Sequence, residues 1–212
     1  VTPGTLTEDS LLDPRVSNRI AALARLASGE AALAWAEMST GEFAVTAIAP
    51  ANITAELAAM NPAELLLEEA QYADGSELAP RSTITPLPRA KFDAASAERQ
   101  LKGHFGVREL DAFGVFSKAE RAALGALLDY LCLSQAGGSP KLSPPRQVVE
   151  GAVLAVDPAT RASLEIDRTL SGSRKGSLLD AIDRTVTAPG ARCLAERLGR
   201  PLTDIAVINA RL

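Results

Sequence analysis

The sequence predicts an α/β first part followed by an all-helical second part, with the division near residue 140. Three observations support this fold class. Apolar residues alternate around an early turn, apolar residues recur at helical spacing in later segments, and a stretch rich in Gly and Pro separates the two patterns. We therefore assign residues 1–140 to an α/β domain and residues 141–212 to a helical one.

A β-hairpin over residues 31–38 and 43–49 is the first predicted element. Large apolar side chains alternate along both runs, and Ser39-Thr40-Gly41 between them is typical of a turn. A helix is expected over residues 53–60, where the apolar spacing is helical, and the apolar run at 65–67 predicts a buried strand. Strand, strand, helix and strand in this order indicate an α/β fold.

The strongest helix signal of the first part follows a weaker middle region. Residues 74–88 are rich in Gly, Ser, Pro and Thr, with residues 83–85 as their only strand-like stretch, and residues 92–105 predict a charged helix. Ser117 and Glu120 then fit a capping box, which predicts a helix ending near Gln135. Its apolar face would contain Leu124, Leu127, Leu128 and Leu131.

The second part begins after the Gly- and Pro-rich run 136–146, the best candidate for a domain boundary. Residues 148–149 and 152–156 are compatible with a short hairpin. Asp157-Pro158 predicts the start of a helix that ends at Ser171-Gly172 and buries one face. That face would contain Ala162, Ile166 and Leu170. A later helix is expected from Thr187 or Ala188 to Gly199.

The charge is distributed unevenly along the chain. Of the net charge of −4, residues 1–160 contribute −7 and residues 161–212 contribute +3. The composition, with 47% hydrophobic and 23% charged residues, is that of a folded globular protein. Phosphates could interact with the basic tail, but +3 spread over several helices is well short of a concentrated nucleic-acid-binding patch. We interpret these charges as solvated helix faces.

Several functional classes lack their sequence signals. The longest apolar stretches are far shorter than the ~20 residues that cross a bilayer, and no secretion signal precedes them, so we expect a cytoplasmic location and no membrane contact. Cys132 and Cys193 lack Cys or His neighbours at ligand spacing, so we expect two buried thiols. The chain begins with Val1 rather than Met and stops at Leu212 within an apolar run, which we interpret as two cuts in a longer protein.

Two further features invite a catalytic interpretation. The loop 171–177 resembles a phosphate-binding loop in composition, but Lys175 precedes Gly176 and a helix precedes the loop, whereas a P-loop follows a strand and places its Lys after the last Gly. His104 is the single His, and nothing around it matches a nucleophile elbow or a cysteine-protease signature. We interpret it as a structural side chain near a helix end.

A metal-dependent nuclease of the RNase H type is the remaining catalytic hypothesis. Such an enzyme needs several carboxylates that converge on paired cations, the first of them usually on the opening strand. Glu37 lies on the first predicted strand, and the sequence does not place the candidates that would complete the set, which are Glu64, Glu68, Glu69 and Asp129. The larger aromatic residues are spaced as core rather than as a platform for bases: Trp35, Phe43, Phe105, Phe113 and Phe116.

The order of short motifs in the second part resembles one family. They are Asp157-Pro158-Ala159-Thr160-Arg161, Leu164-Glu165-Ile166, Thr169-Leu170-Ser171-Gly172, Ser177-Leu178-Leu179, Ile182-Asp183-Arg184-Thr185, Gly190-Ala191-Arg192 and Pro201-Leu202-Thr203-Asp204. This order is similar to the opening of the core, or lever, domain of MutS-type DNA mismatch-repair proteins. Four upstream motifs are similar to the connector domain of that family: residues 1–5, 39–43, 61–65 and the Phe105-Gly106 and Phe113-Gly114 pair.

The resemblance implies an RNase H-like connector domain over residues 1–140 and the N-terminal part of the core domain over residues 141–212. In such a protein the mismatch-reading domain precedes this segment, and the ATPase that uses ATP and Mg²⁺ follows it. The segment itself would be non-catalytic, with no catalytic, cofactor-binding or metal-binding residue. It would couple mismatch recognition to the ATPase and offer a docking surface for MutL, within a full-length homodimer that binds mismatched DNA.

Two other functions stay open beside this one. The first is the nuclease that would use Glu37, and the second is non-specific DNA binding through the basic tail.

Overall fold

A six-stranded mixed β-sheet contains five strands from the first part of the chain and one, at residues 146–147, from the second. The computed structural model describes residues 15–134, 140–148 and 153–211. The strands are β1 (Arg19–Arg25), β2 (Ala31–Glu37), β3 (Glu42–Ile48), β4 (Glu64–Glu68), β5 (Thr83–Leu87) and β6 (Arg146–Gln147). Their order in the sheet is β5-β4-β1-β2-β3-β6. Strands β1 to β3 form an antiparallel meander, whereas β4 and β5 lie parallel to β1, and β6 lies parallel to β3.

Helices cover both faces of this sheet. They are α1 (Ile53–Met60), α2 (Tyr72–Leu78), α3 (Ala94–Phe105) and α4 (Lys118–Ser134). One apolar cluster joins α3 and α4 to the first face, and a second joins α1 and the end of α2 to the other. The result is a three-layer α/β/α arrangement, and it confirms the α/β class predicted for the first part.

Small side chains determine how closely α4 approaches the sheet. The residues that β1 and β2 present to it are mostly alanine: Ala22, Ala24, Ala32, Ala34 and Ala36. Leu124, Leu127 and Leu131 of α4 are fully buried against this surface. Since alanine adds little bulk above the backbone, the leucines of the helix fill the space between the two layers.

The predicted hairpin and capping box are both confirmed. Strands β2 and β3 pair with Trp35 opposite Ala44. The Glu120 backbone N–H donates to Ser117 Oγ at 3.2 Å, and the Ser117 backbone N–H donates to Glu120 Oε2 at 2.7 Å. Glu120 also accepts from Gln147 Nε2 at 2.9 Å, so the same carboxylate fixes the start of α4 and the position of β6.

Most of the other elements predicted in the first part are confirmed. They are α1, β4, β5 and α3. Strand β1 and helix α2 were not predicted, although β1 occupies the centre of the sheet. From residue 15 onward, where the description begins, the first strand is therefore β1, and Glu37 lies on the second strand described. The predicted end of α4 at Gln135 and part of the predicted boundary, residues 135–139, lie outside the described residues.

The second part contains four short helices joined by turns. They are α5 (Pro158–Ser163), α6 (Leu178–Ile182), α7 (Ala188–Gly199) and α8 (Ile205–Asn209). Asp157 caps α5 and Thr187 caps α7, as predicted. Among the described residues, no helix is both long and apolar enough to span a bilayer.

The predicted helix from Asp157 to Ser171 is wrong beyond Ser163. Glu165 adopts a left-handed conformation with φ of 47°, which ends the helix. The predicted apolar face is lost with it, because Ala162 is exposed and Leu170 is 77% exposed, and only Ile166 is buried. Residues 164–177 form turns that lead into α6.

The predicted short hairpin after the boundary is not present where its arms are described. The Val148 backbone N–H donates to the Val45 carbonyl, and Val153 pairs with Leu202 in an isolated antiparallel bridge. The predicted turn at Glu150-Gly151 lies outside the described residues.

Gly125 of α4 provides a test of the close helix packing. A Cβ at this position would lie 2.2 Å from Ala97 Cβ, so α3 and α4 would have to separate. We expect Gly125→Ala to lower the free energy of unfolding by about 1–3 kcal/mol or more, the usual cost of overpacking. Urea denaturation measures this change.

Gly103→Ala is the matched control, because no atom lies within 4 Å of the added methyl group. Alanine favours helix by up to about 1 kcal/mol over glycine, so this variant should be as stable as the wild type or more stable. Equal stability of Gly125→Ala and the wild type would contradict the packing described for α3 and α4.

Candidate functional site

The two carboxylates central to the nuclease hypothesis lie on opposite faces of the sheet. Glu64 is fully buried on the face toward α4, where its Oε1 accepts hydrogen bonds of 2.6 Å from the hydroxyls of Thr85 and Tyr130. Glu37 shares the other face with Trp35 and accepts from Ser39 Oγ at 2.9 Å. A pair of cations cannot be bound jointly by these two side chains, because the sheet separates them.

The other candidate carboxylates are also dispersed. Glu68 is the last residue of β4, the exposed Glu69 follows it, and Asp129 on α4 forms an ion pair of 2.8 Å with Lys91. Within residues 15–134, 140–148 and 153–211, no three His, Cys, Asp or Glu side chains are grouped so as to hold a metal ion.

The predicted roles of the cysteines and of His104 have different outcomes. Cys132 and Cys193 are both exposed, so the prediction of buried thiols is wrong. Cys132 lies beside the leucine stripe of α4 rather than within it, and partial burial together with Asp129 raises the pKa of its thiol. His104 lies in the last turn of α3, as predicted, with its ring centroid 4.7 Å from that of Phe105, and burial lowers its pKa.

The aromatic residues lie in or against the core, and the loop 171–177 is a set of turns. Trp35, Phe43 and Phe116 are buried, and Phe105 and Phe113 pack against the same cluster as Phe43. Gly172 and Gly176 have positive φ angles, Lys175 is exposed, and Ser177 caps α6. The loop follows turns, whereas the sequence predicted a helix before it and a P-loop follows a strand.

The most extensive polar arrangement joins the sheet to α7. Arg19 at the start of β1 forms ion pairs of 3.4 Å with Glu42 on β3 and of 3.0 Å with Glu196 on α7. Trp35 Nε1 donates to Glu42 Oε1 at 3.3 Å. We use the name junction for these contacts of Arg19, Glu42 and Glu196, together with the contacts of Arg200, Arg161 and Asp183 that the next paragraphs describe.

Two arginines extend the junction toward α1. Arg200, just after α7, forms an ion pair with Glu56 of α1, and its guanidinium carbon lies 5.5 Å from the centroid of the Trp35 ring. Arg161 of α5 is only 3% exposed and donates from Nη2 to the Gly199 carbonyl at 2.7 Å. This bond satisfies a carbonyl at the end of α7, where the helix has no partner of its own.

Asp183 forms the remaining part of the junction. Its carboxylate accepts from Thr185 Oγ1 at 2.6 Å, from Arg15 at 3.0 and 3.1 Å, and from Arg174 at 2.7 Å. These bonds hold the pKa of Asp183 well below its usual range, with the Thr185 hydroxyl as the largest cause. Arg15 precedes β1, so this cluster ties the entrance of the sheet to the segment between α6 and α7.

Sequence reasoning did not identify the junction, because its partners are far apart in the chain and belong to ordinary residue types. Arg15 and Asp183, for example, are separated by 168 residues. The motif at residues 182–185 is one of those that resemble the family, but the resemblance does not indicate which residue Asp183 contacts. Chemically, the junction can hold the two parts together by charge and hydrogen bonding, without the apolar core that makes a contact permanent.

The carboxylate of Asp183 should make stability depend on acid pH. Because folding lowers its pKa, the carboxylate stabilises the folded state above the unfolded pKa of about 4, and this contribution is lost as the pH falls below it. Asp183→Asn should therefore lower the urea midpoint at pH 7, and its difference from the wild type should narrow as the pH falls below about 5.

Asp111→Asn is the matched control, because Asp111 is exposed on the surface of the α/β part. Its urea midpoint should follow that of the wild type at every pH. A difference between Asp183→Asn and the wild type that stays constant down to pH 2 would contradict the assigned role of the carboxylate.

Comparison with known proteins identifies two successive family models in the chain. Residues 18–143 match MutS domain II, and residues 159–212 match MutS domain III. The first range contains the sheet up to β5 with helices α1 to α4, and the second contains nearly all of α5 and the helices that follow it.

Curated relatives match over the whole chain. The chain is 49% identical to a DNA mismatch repair protein MutS of Rhodopseudomonas palustris strain HaA2, over all of the chain and 24% of that relative. The corresponding values are 51% and 24% for Cereibacter sphaeroides strain ATCC 17025, and 48% and 25% for Nitrobacter winogradskyi, again with all of the chain covered. The chain thus spans about a quarter of the length of these relatives, and it belongs to the MutS family of DNA mismatch-repair proteins.

Proposed function

We propose that this chain is a non-catalytic coupling segment of a mismatch-repair ATPase. The observation that supports the proposal is the polar junction, which links an α/β domain to a helical domain in a chain of the MutS family. The α/β domain, over residues 1–140, would be an RNase H-like connector, and residues 141–212 would begin the core domain. The nuclease hypothesis is not adopted, because the sheet separates Glu37 from Glu64.

The whole protein supplies the chemistry in this proposal. Full-length homodimers would bind mismatched DNA and hydrolyse ATP with Mg²⁺ in the cytoplasm, through domains that the relatives contain beyond the matched quarter. In this chain, mismatch binding and the nucleotide state of the ATPase would be communicated as a change in the angle between the two domains. Such a change requires a contact that can open and close, and inter-domain contacts made of ion pairs satisfy this condition.

The energies of the contacts favour opening at the junction. Ion pairs with solvent access contribute about 0.2–1 kcal/mol each, because water replaces the lost partner. Glu196 is 46% exposed and Arg19 only 7%, so water reaches this pair from the side of Glu196, whereas the pair of Arg200 and Glu56 is mostly buried. Burial of a leucine contributes about 1.5–3 kcal/mol, and α4 buries several of them against the sheet. The junction should therefore yield before the α/β domain does.

The coupling proposal also includes docking of MutL on the connector. Titration of the 212-residue chain with the N-terminal domain of MutL, followed by isothermal calorimetry, should show saturable binding. Absence of binding, under conditions in which the activated full-length protein binds MutL, would contradict the docking part of the proposal. Coupling through the junction would be unaffected by that result.

Arg200→Met tests the junction itself, with Trp35 as the reporter. The substitution removes the ion pair with Glu56 and the cation above the indole ring, while it keeps an apolar side chain of similar length. Because Trp35 is the only tryptophan, the emission spectrum reports this site alone. We expect a change in Trp35 emission and faster hydrogen exchange in α7, since a looser junction exposes that helix more often.

Arg197→Met is the control for this experiment. Arg197 lies on the exposed side of α7, one turn before Arg200. Its substitution should leave both the emission and the exchange rates of α7 unchanged. If the two variants gave the same result, Arg200 would have no special part in holding α7 against the sheet.

A further inference from the structure

A cleft lined by six arginines lies inside the junction. It is bordered by the end of α1, by α5 and α7, and by the residues before β1, and its volume is about 130 Å³. The arginines come from four separate stretches of the chain and are Arg15, Arg19, Arg161, Arg168, Arg174 and Arg192. Four of the nine basic residues of the tail therefore lie together here, although the sequence suggested that they are spread over several helices.

Carboxylates only partly balance these charges. Asp167 and Glu196 are the acidic residues in the cleft lining, and Asp167 forms an ion pair of 3.1 Å with Arg81 outside it. Asp183 and Glu42, behind the wall, pair with Arg15, Arg174 and Arg19. Even when all four carboxylates are counted against the six arginines, an excess of positive charge remains.

Two of the guanidinium groups, those of Arg161 and Arg168, also retain unused donors. Each has five N–H groups, and Arg161 and Arg168 each donate one hydrogen bond, to the carbonyls of Gly199 and Gly172. In the described part of the chain, the Nε atoms of Arg19 and Arg161 are buried without a hydrogen-bond partner. Burial lowers the pKa of Arg161, which shows that its surroundings disfavour an uncompensated positive charge.

We propose that this cleft binds a phosphate group or a tetrahedral oxyanion of the same kind. Guanidinium groups bind such anions through paired N–H donors, and the cleft has room for such a group together with water. The bound anion would contact residues before β1, α5 and α7 at once, so its binding would strengthen the junction. The proposal does not depend on the docking of MutL.

Thermal unfolding of the 212-residue chain in sodium phosphate, compared with sodium chloride of equal ionic strength, tests the site. Binding to the folded state raises the midpoint progressively with ligand concentration, whereas simple screening is the same in both salts. We expect a rise in phosphate alone, together with saturable binding of phosphate in calorimetry. Phosphate also stabilises folded proteins by exclusion from their surface, so a higher midpoint without saturable binding in calorimetry would overturn the proposal, as would equal midpoints in the two salts.

Two substitutions locate the binding. Arg168→Gln and Arg192→Gln should each weaken phosphate binding several-fold, since each removes a charge from the lining. Arg99→Gln is the control, because Arg99 is exposed on α3 and bonds to Ser96 of the same helix. Circular dichroism at 20 °C confirms that each variant is folded. Loss of binding in Arg99→Gln equal to that in the cleft variants would mean non-specific charge and would overturn the proposal.

Competition with a short DNA duplex distinguishes two sources of the phosphate. If the cleft accepts a backbone phosphate, the duplex binds to the chain and inorganic phosphate displaces the duplex. Arg168→Gln then weakens duplex binding more than Arg99→Gln does. If the cleft accepts a free oxyanion, inorganic phosphate binds and the duplex does not compete with it. Either result supports the site, and duplex binding that is equally sensitive to all three substitutions counts against it.

Discussion

The structure depends on the burial of β1 and β2 on both faces of the sheet. Their side chains alternate between two apolar clusters, so neither strand has a solvent-facing side to tolerate polar substitution. Alanine on one face brings α4 close to the sheet, and larger residues such as Leu33 and Trp35 fill the other face under α1. Within β1 and β2 charge is therefore left only at the strand ends, at Arg19, Arg25 and Glu37.

The residues at the strand ends differ between the two faces of the sheet, and this difference determines where the junction lies. Beneath α4, the buried carboxylate of Glu64 lies at the start of β4. The hydroxyl groups of Thr85 and Tyr130 both donate to it, so its hydrogen bonds come from within the α/β domain. On the opposite face, Arg19 and Glu42 form the strand ends, and they meet a charged side chain of α7. One face is therefore completed within the α/β domain, whereas the other is completed only by the helical domain.

The elements that the sequence predicted well are those whose signals are local. The hairpin follows from alternation around a turn, and α4 follows from a capping box and a leucine stripe. Strand β1 was missed because its residues, Arg-Ile-Ala-Ala-Leu-Ala-Arg, favour a helix by propensity and do not alternate between polar and apolar. Its extended conformation depends on pairing with β2 and β4. These partners lie outside the segment, so its own residues carry no signal for the pairing.

The helical part shows the opposite error, in which a local signal was extended too far. Asp157-Pro158 does begin a helix, and apolar residues continue at helical spacing up to Leu170, yet Glu165 leaves the helical conformation. The backbone N–H groups of Leu178 and Leu179 then donate to the carbonyls of Glu165 and Ile166, so these carbonyls bond with α6 instead of with a continued helix.

This early turn has a direct consequence for the charge of the junction. The chain turns back after Ser163, and Arg168 and Arg174 line the same cleft as Arg161. These arginines lie close together beside α7, so their positive charges repel one another. The carboxylates of Asp183 and Glu196 offset only part of this repulsion. A contact with this composition is sensitive to any anion or carboxylate that enters it, and this sensitivity distinguishes the junction from the apolar layers of the sheet.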